Sequence, residues 1–584
     1  MMCATRMCTT SYLRVWVVSI AVFAWLNADG VGRAQPMVPR PLTVSMSEQV
    51  RGRLEMLGHT TGTTIQSEII RAVDSLGRFY EHRSFQPVWI CEEGLLPHTE
   101  AFVQVLSQAE HEGMGTASYH LVSIERMMAE QKLTHAESLL QNLRDRVDLE
   151  LLLTDAFFIY AAHMSTGQID PMILHEVWFA HRSEMDLETR LQHAVEANQV
   201  GELLQSLRPT YAGYLALQKA LMSYRDIVEK GGWPVIPDGP KLQRGDRGLR
   251  VMALHTRLLL SGDLDHASDP TGDIFDAALE RALQQFQERH GLNADGVVGS
   301  STLIALNVSA VARVRQIELN MERWRWLPHE LEESYILVNL ANFTLDVVEH
   351  GRSTLSMRVI VGKPERRTPF FSADMTSLVL SPHWYVPPSI AIQDKLPLIR
   401  RDPGYVARQN FKLFRGGESG GSRIDPLSVD WSSVSARNFP YRLRQDPGPR
   451  NALGRVKFMF PNPYHVYLHD TPSRELFSKT ERAFSSGCIR LEKPIELAEY
   501  LLRDDPKWSR KRILATIEKG AEQIVPLHTT IPVHLWYWTA WVNEQGRINF
   551  HKDIYARDKV LEKALRESSS APKNEYPPAI ARRG

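Results

Sequence analysis

The spacing of the apolar residues changes once along this chain, near residue 334, and that change limits the folds open to it. Upstream, apolar positions recur every three or four residues, most plainly from Leu149 to Tyr160, which is the pattern of a buried helix. Downstream, Tyr335 to Leu340, Leu345 to Val348 and Met357 to Val361 are short strand-like runs. The pattern predicts a multidomain α+β protein whose all-α part precedes a mainly β part.

Length and charge set wide limits on the class of protein. At 584 residues the chain is too long for one hydrophobic core and should hold several domains. Its 68 basic residues balance 68 acidic ones, so no global charge favours nucleic acid as a partner. The 43% hydrophobic content is that of an ordinary globular protein.

The N-terminal segment has the features of a secretory signal. Arg6 and Arg14 precede an apolar run from Val15 to Leu26, and the small residues Gly32 and Ala34 follow. The run is shorter than the roughly twenty residues that a membrane span needs, so no stable span is expected, although an uncleaved anchor is the alternative. We therefore predict a signal peptide over residues 1–34 and a periplasmic protein.

A cysteine near the C-terminus has a setting that favours nucleophilic chemistry. Cys488 lies within Ser485-Ser486-Gly487-Cys488-Ile489-Arg490, and His469 precedes it in the chain. A free thiol with a pKa of roughly 8.5 needs a base to become a useful nucleophile, and His469 is the candidate. The alternatives are a buried structural cysteine or a disulfide with Cys91.

The residues around this pair suggest how a substrate could be bound. Alternation from Tyr464 to His469 predicts a strand with His465, Tyr467 and His469 on one polar face. A helical pattern from Ile495 predicts that Cys488 lies just before a helix, whose free N–H groups near Gly487 could bind an oxyanion. The predicted substrate contacts are Arg490, Tyr467, Ser486 and Trp384. The histidines near the site do not form a ligand set with spaced carboxylates, so neither a metal nor a cofactor is predicted.

These residues resemble a known family. A histidine followed by Ser-x-Gly-Cys-x-Arg resembles the L,D-transpeptidase signature, and the similarity to the large periplasmic multidomain subfamily extends through Val359-Ile360-Val361-Gly362-Lys363, Trp384-Tyr385-Val386-Pro387-Pro388 and Val456-Lys457-Phe458-Met459-Phe460-Pro461-Asn462. Many members have Ser-His-Gly-Cys where this chain has Ser485-Ser486-Gly487-Cys488. In this family a backbone carbonyl usually orients the histidine.

The resemblance gives the predicted segments their names. The unit that begins near Leu242 and carries Asp295-Gly296 and Gly299 is similar to the small three-helix peptidoglycan-binding domain, with a mere spacer as the alternative. A long insertion, residues 391–450, carries eleven Lys or Arg against six Asp or Glu, and the resemblance implies that it caps the substrate, with a solvated charged face as the alternative. The predicted division is a helical scaffold domain (45–235), a peptidoglycan-binding domain (240–308), a catalytic domain (334–525) with a capping insertion (391–450), a C-terminal extension that adds one more strand (526–558) and a disordered tail (559–584).

The resemblance also implies an activity. Cys488 would attack a tetrapeptide stem of peptidoglycan, release D-Ala and pass the acyl group to a second stem, which makes a 3-3 cross-link. Carbapenems would acylate the same thiol, and other cell-wall synthesis enzymes are possible partners. The alternatives are an L,D-carboxypeptidase, attachment of a protein to peptidoglycan by the same site, or a non-catalytic peptidoglycan-binding scaffold. A papain-like peptidase places its cysteine before its histidine, the reverse of the order here.

Overall fold

The computed structural model describes residues 45–58, 64–91, 94–133, 139–174, 185–265, 272–328, 330–416 and 421–570. The predicted signal peptide, residues 1–34, lies outside these ranges. Within them, no helix is long and apolar enough to cross a membrane.

The first part of the described chain is helical, as predicted. Helix α5 (Leu139–Thr166) runs through the centre of this helical part and is buried almost continuously from Leu149 to Met164. Two carboxylates of this helix, Glu150 and Asp155, accept hydrogen bonds from backbone N–H groups of the segments packed around it. The elements are α1 (Met46–Gly58), β1 (Thr64–Ile65), β2 (Glu68–Ile69), α2 (Val73–His82), β3 (Ile90–Cys91), β4 (Gly94–Leu95), α3 (Pro97–Ser107), α4 (Leu121–Leu133), α5 (Leu139–Thr166), α6 (Leu187–Glu196), α7 (Val200–Ser206) and α8 (Ala212–Glu229).

Three helices form the next unit around a separate apolar core. They are α9 (Leu249–Leu260), α10 (Ala277–Arg289) and α11 (Ser300–Leu306). The Asp295-Gly296 pair turns the chain between α10 and α11, because Gly296 takes a φ of +71° while Asp295 accepts hydrogen bonds from the Val297 amide and from Gln287.

Helix α12 (Ala310–Arg325), which precedes the β part, is anchored to the helical domain around a buried ion pair. Arg325 donates to Glu322 over 2.8 Å and to the backbone carbonyl of Glu112, which lies in the helical domain. Glu322 also accepts the backbone N–H of Ile169. The side chains of Arg325 and Glu322 are almost wholly excluded from solvent. The last turn of α12 is therefore fixed to the helical domain by polar contacts that water cannot replace.

We expect Arg325→Met to lower the free energy of unfolding by about 3–5 kcal/mol, because it leaves Glu322 buried without its cation. Urea denaturation followed by circular dichroism measures the change. The matched control is Arg51→Ala in the exposed Arg51–Glu55 pair, where a loss of only about 0.3–0.5 kcal/mol is expected. Equal losses in the two variants would contradict the buried role of Arg325.

The β part is a nine-stranded sheet in the order β15-β7-β16-β14-β13-β8-β17-β5-β6, and an additional pairing of β7 with β6 closes it on itself. Apolar residues of every strand fill its interior. Its strands are β5 (Ser334–Asn339), β6 (Thr344–Glu349), β7 (Arg352–Gly362), β8 (Phe371–Leu380), β13 (Val456–Met459), β14 (Leu468–His469), β15 (Ala483–Ser485), β16 (Ile489–Leu491) and β17 (Gln523–Trp536). The mixed α+β class predicted from the sequence is confirmed.

The insertion between β8 and β13 folds around a core of its own. A four-stranded sheet, in the order β11-β10-β12-β9, packs with short helices. Strand β9 precedes the predicted start at residue 391, so this unit begins earlier than the sequence pattern indicated. Its elements are β9 (Trp384–Tyr385), α13 (Pro388–Ile390), a π-helix (Ala391–Lys395), α14 (Leu396–Arg401), α15 (Tyr405–Arg408), β10 (Phe411–Arg415), β11 (Ser422–Ile424) and β12 (Tyr441–Gln445).

The predicted boundary between residues 525 and 526 is wrong. Strand β17 crosses it and lies inside the sheet, paired with β8 on one side and with β5 on the other. The prediction of one extra strand from Leu535 is also wrong, because the chain leaves the sheet after Trp536 and then forms a separate hairpin. The remaining elements are α16 (Pro494–Leu501), α17 (Arg510–Glu518), the hairpin of β18 (Ala540–Val542) and β19 (Ile548–Phe550), and α18 (Arg557–Ser570).

The expected disorder of residues 559–584 is wrong for its first part. Residues 559–570 belong to α18, which is ordered because Leu561 and Leu565 are buried in the main core. Asp558 at the start of the helix pairs with Arg323 at 2.7 Å. Residues 571–584 lie outside the described ranges.

Candidate active site

Three neighbouring strands bring the candidate residues to one face of the sheet. His469 on β14 pairs with Arg490 on β16 and with Lys457 on β13, while Leu468 pairs with Ile489. Paired residues point to the same face and successive residues alternate. The buried Leu468 and Ile489 therefore face the core, and His469, Arg490 and Lys457 face the opposite side.

Tyr467 and Cys488 each come two residues before the His469–Arg490 pair and share its face. The Ile489 amide donates to the Tyr467 carbonyl over 3.1 Å, which fixes the register of the segment at Tyr467 against the segment at Cys488. Tyr467 lies against Cys488, and its backbone N–H and hydroxyl act to lower the pKa of the thiol. The thiol is crowded by protein atoms, yet Cys488 keeps part of its surface open to solvent. The strand register thus places Cys488, His469, Tyr467 and Arg490 on one face of the sheet.

The imidazole of His469 is held in one orientation. Its Nδ1 lies 2.5 Å from the backbone carbonyl of Asp470, so that nitrogen carries the proton and Nε2 has a free lone pair. Burial, reinforced by the positive charges of Arg490 and Lys457, lowers the pKa of His469 to about 3. The group is therefore a neutral base at physiological pH. The carbonyl that the family resemblance implied is that of Asp470, a neighbour whose carboxylate points instead to Arg455 and Arg474.

Burial raises the pKa of the Cys488 thiol, although the Tyr467 donors and the cations Lys457 and Arg490 act in the opposite direction. Cys488 is consequently a thiol beside a neutral imidazole, and not half of a stored thiolate–imidazolium pair. Both cysteines of the described ranges, Cys91 and Cys488, are free, so the disulfide considered from the sequence is not formed.

We expect the alkylation of Cys488 by iodoacetamide to rise close to tenfold per pH unit between about pH 6 and 8, because the thiolate fraction grows at that rate below a raised thiol pKa. No step is expected near pH 6.5, since His469 stays neutral there. Peptide mapping by mass spectrometry measures each cysteine separately, and Cys91 serves as the internal control. A plateau of fast alkylation from pH 5 to 8 would indicate a stored ion pair and contradict this description.

Two predictions about the local backbone are wrong. The expected strand from Tyr464 is limited to Leu468–His469, because His465 takes a φ of +54° and turns away as an exposed residue. The helix predicted from Ile495 is present and begins at Pro494, but Cys488 does not lie directly before it, since Ile489–Leu491 form β16. The N-terminus of α16 is therefore separated from the thiol by a strand.

The Gly487 amide is also not free, contrary to the expected oxyanion role. It donates to Ser485 Oγ over 3.1 Å, and Ser485 Oγ in turn donates to the Cys488 carbonyl over 2.5 Å. Gly487 has a φ of +119°, and its carbonyl accepts a hydrogen bond from the buried Thr368. These contacts hold the loop before the nucleophile in one conformation. An oxyanion would need other donors or the release of this amide.

The other predicted contacts have different surroundings. Trp384 is buried in the core of the insertion, and Tyr467 packs against that core, so Trp384 supports the site from the insertion. Arg490 has a buried Nε without a hydrogen-bond partner, which leaves a donor available to a ligand. Ser486 is exposed, and its hydroxyl accepts a hydrogen bond from Arg366 at 2.9 Å.

Sequence reasoning missed Lys457 and Arg366. Lys457 lies with its ammonium 4.0 Å from the centre of the Tyr467 ring, and its position opposite His469 follows from the alternation of Val456, Lys457 and Phe458. Arg366 binds Asp394 of the insertion through both carboxylate oxygens, at 2.6 and 2.7 Å, besides its contact with Ser486. No motif marks Arg366, because its partners lie far from it in the chain.

The chain is thus a multidomain α+β protein. Its β part brings a partly exposed cysteine and an oriented neutral imidazole to one face of the sheet. Comparison with protein families matches residues 333–513 to the "L,D-transpeptidase catalytic domain", residues 74–221 to a "Scaffold domain" and residues 247–306 to a "Putative peptidoglycan binding domain". Residues 333–513 of the chain thus match the L,D-transpeptidase catalytic domain.

Similar proteins occur in Haemophilus influenzae and Mycobacterium tuberculosis. A protein of Haemophilus influenzae named "Putative L,D-transpeptidase" is 36% identical over 247 residues, which are 42% of this chain and 49% of that protein. The chain thus spans about half the length of this relative. "N-acetylmuramoyl-L-alanine amidase CwlM" of Mycobacterium tuberculosis is 40% identical over 76 residues, or 12% of this chain and 19% of that protein.

Among solved structures, the L,D-transpeptidase (residues 123-326) from Xylanimonas cellulosilytica DSM 15894 is matched over its whole chain and 51% of this one, at 17% identity and a TM-score of 0.17. A superposition this weak supports no statement about the fold.

Proposed function

We propose that the chain is a peptidoglycan L,D-transpeptidase that forms 3-3 cross-links through a thioester on Cys488 and releases D-Ala from tetrapeptide stems. One observation carries the proposal: the accessible Cys488 thiol shares a face with a neutral His469 whose Nδ1 is fixed by the Asp470 carbonyl. The matched catalytic and peptidoglycan-binding families support peptidoglycan as the substrate and the periplasm as the place of action.

The first half of the proposed reaction is acylation. The free lone pair of His469 Nε2 takes the thiol proton as Cys488 Sγ attacks the carbonyl between the third stem residue and the terminal D-Ala. The oxyanion forms near Tyr467, whose hydroxyl is the proposed donor to it. The imidazolium is disfavoured by the two nearby cations and passes its proton to the nitrogen of D-Ala, which leaves.

The second half resolves the thioester. An amine on the third residue of a second stem attacks the thioester carbonyl, the Cys488–acyl bond breaks, and His469 returns the amine's proton to the thiolate. Arg490 has a buried donor without a partner and is suited to bind a stem carboxylate. Water in place of the amine would make the same site an L,D-carboxypeptidase.

We also propose that the insertion caps the substrate and that Arg366 holds it in place. The bidentate Arg366–Asp394 pair joins the loop after β7 to the π-helix of the insertion, and Ser486 beside the nucleophile is a third point of contact. Trp384 and Tyr467 form a second connection between insertion and site. Substrate bound over Cys488 would be in contact with both units.

The test is an incubation of the protein with purified disaccharide-tetrapeptide, analysed by mass spectrometry. The expected product is a dimer whose mass is that of two tetrapeptide units minus D-Ala. Release of D-Ala without this dimer would replace the proposal with a carboxypeptidase. No release by a folded protein that binds peptidoglycan would indicate a non-catalytic scaffold.

A further inference from the structure

The C-terminal hairpin has two chemically different faces. Ala540, Val542, Ile548 and Phe550 pack into the apolar cluster formed with α8 and α12. Because side chains alternate along a strand, the intervening residues point to the other side, where Trp541 pairs directly with Asn549. Trp541 remains partly exposed and rests against His551, with ring centres 4.8 Å apart. The outward face thus combines an aromatic ring with polar side chains.

Helix α10 of the three-helix unit lies against this hairpin. Arg289 donates to the Ile548 carbonyl over 3.3 Å, and Arg547 donates to Gln285 over 2.5 Å. A Cβ on Gly291 would come within 2.7 Å of the His551 ring, which shows how closely the Gly291 backbone approaches that ring. The three-helix unit and the hairpin therefore meet along a direct contact.

A cleft of about 410 Å³ lies between them. Besides Arg289, its lining consists of Gln285, Glu288, Asn543, Gln545, Arg547 and Asn549. All of these side chains end in a planar amide, carboxylate or guanidinium group, so the cleft offers both hydrogen-bond donors and acceptors. The charge of Arg289 is neutralised by the buried Asp263. The two other charged residues of the lining, Arg547 and Glu288, have opposite charges, so the lining has no net charge. The lining lacks the excess positive charge that a phosphate or polyanion site needs.

We propose that this cleft binds the glycan strand of peptidoglycan, a chain of N-acetylated amino sugars. Such a ligand is neutral along its backbone and rich in hydroxyl and acetamido groups that pair with amide side chains. Its apolar ring faces suit Trp541, which lies outside the cleft lining but is paired with Asn549 of that lining. The proposal rests on the function proposed above and adds a site for the glycan that is separate from the thiol. Its lining comes from two parts of the chain, so the three-helix unit alone would supply only half of it.

The test measures binding of a soluble, uncharged oligomer of N-acetylglucosamine, such as chitohexaose, to the full chain carrying Cys488→Ala. The double variant Gln285→Ala/Gln545→Ala removes an exposed amide from each side of the cleft. The matched control, Gln104→Ala/Gln205→Ala, removes two exposed amides from the helical domain. By calorimetry we expect at least a tenfold loss of affinity in the cleft variant and less than a twofold change in the control.

Trp541→Phe and Trp541→Ala form a second pair, in which the ring is kept or removed. Retained affinity in the phenylalanine variant and lost affinity in the alanine variant would support stacking. Unchanged binding in the glutamine double variant, or no binding of the uncharged N-acetylglucosamine oligomer at millimolar concentration, would overturn the proposal. Because the probe carries no stem peptide, this result is independent of whether the chain catalyses cross-linking.

Discussion

Cys488→Ala is expected to lower kcat/KM for release of D-Ala from disaccharide-tetrapeptide by at least about 10⁴-fold, because no other group near His469 can form the acyl intermediate. The Ser485 and Ser486 hydroxyls flank the thiol, but they already bond the Cys488 carbonyl and Arg366 respectively. Mass-spectrometric quantification of D-Ala measures the loss.

The matched control for this variant is Cys91→Ala, which removes the other free thiol of the described chain, in the helical domain. Its kcat/KM should stay within twofold of the original. Cys488→Ala should also no longer gain mass on incubation with a carbapenem, whereas Cys91→Ala should. Residual turnover above one per cent in Cys488→Ala would place the nucleophile elsewhere.

His469→Ala is expected to lower the rate of acylation by about 10²–10⁴-fold, the usual contribution of a positioned general base. The loss should be largest near neutral pH, where the Cys488 thiol is protonated and depends on His469 Nε2 to remove its proton. Toward high pH the thiol ionises without assistance, so the variant should recover part of its rate. Stopped-flow measurement of acylation by a chromogenic β-lactam at several pH values tests both statements.

His465→Asn is the control for the histidine variant. His465 is four residues away in the chain but exposed, with a φ of +54° that asparagine tolerates. Its acylation rate should be unchanged. Added imidazole should restore part of the rate to His469→Ala if the residue acts as a base. A uniform loss at every pH, without rescue, would show that His469 has a structural role only.

The division of the chain followed from local patterns. Helical spacing around Leu149 and the strand-like runs from Tyr335 to Val361 are set by which side chains each element buries, so they are visible in the sequence. The end of the β part was not visible. Strand β17 is positioned by its pairing with β8 and β5, which are far from it in the chain. Such nonlocal pairing produces no local sequence pattern at residue 525 from which the strand could be predicted.

The candidate site shows the same contrast at the level of single residues. Cys488, His469 and Arg490 could be predicted because their residue types carry the chemistry. The orientation of His469 and the engagement of the Gly487 amide depend on backbone geometry, such as the φ of +119° at Gly487. Lys457 and Arg366 carry ordinary charges, and only the register of β13 with β14 and the fold of the insertion bring them to the site.

The most direct measurement is the intact mass of the protein quenched within its first turnovers of disaccharide-tetrapeptide, followed by peptide mapping of the adduct. The account predicts an added mass equal to the tetrapeptide substrate minus D-Ala, attached to Cys488 and absent from Cys488→Ala. The adduct should disappear when a second stem is supplied as acceptor, with the cross-linked dimer formed in equal amount. An adduct on Ser485 or Ser486, or dimer formation by the Cys488→Ala protein, would contradict it.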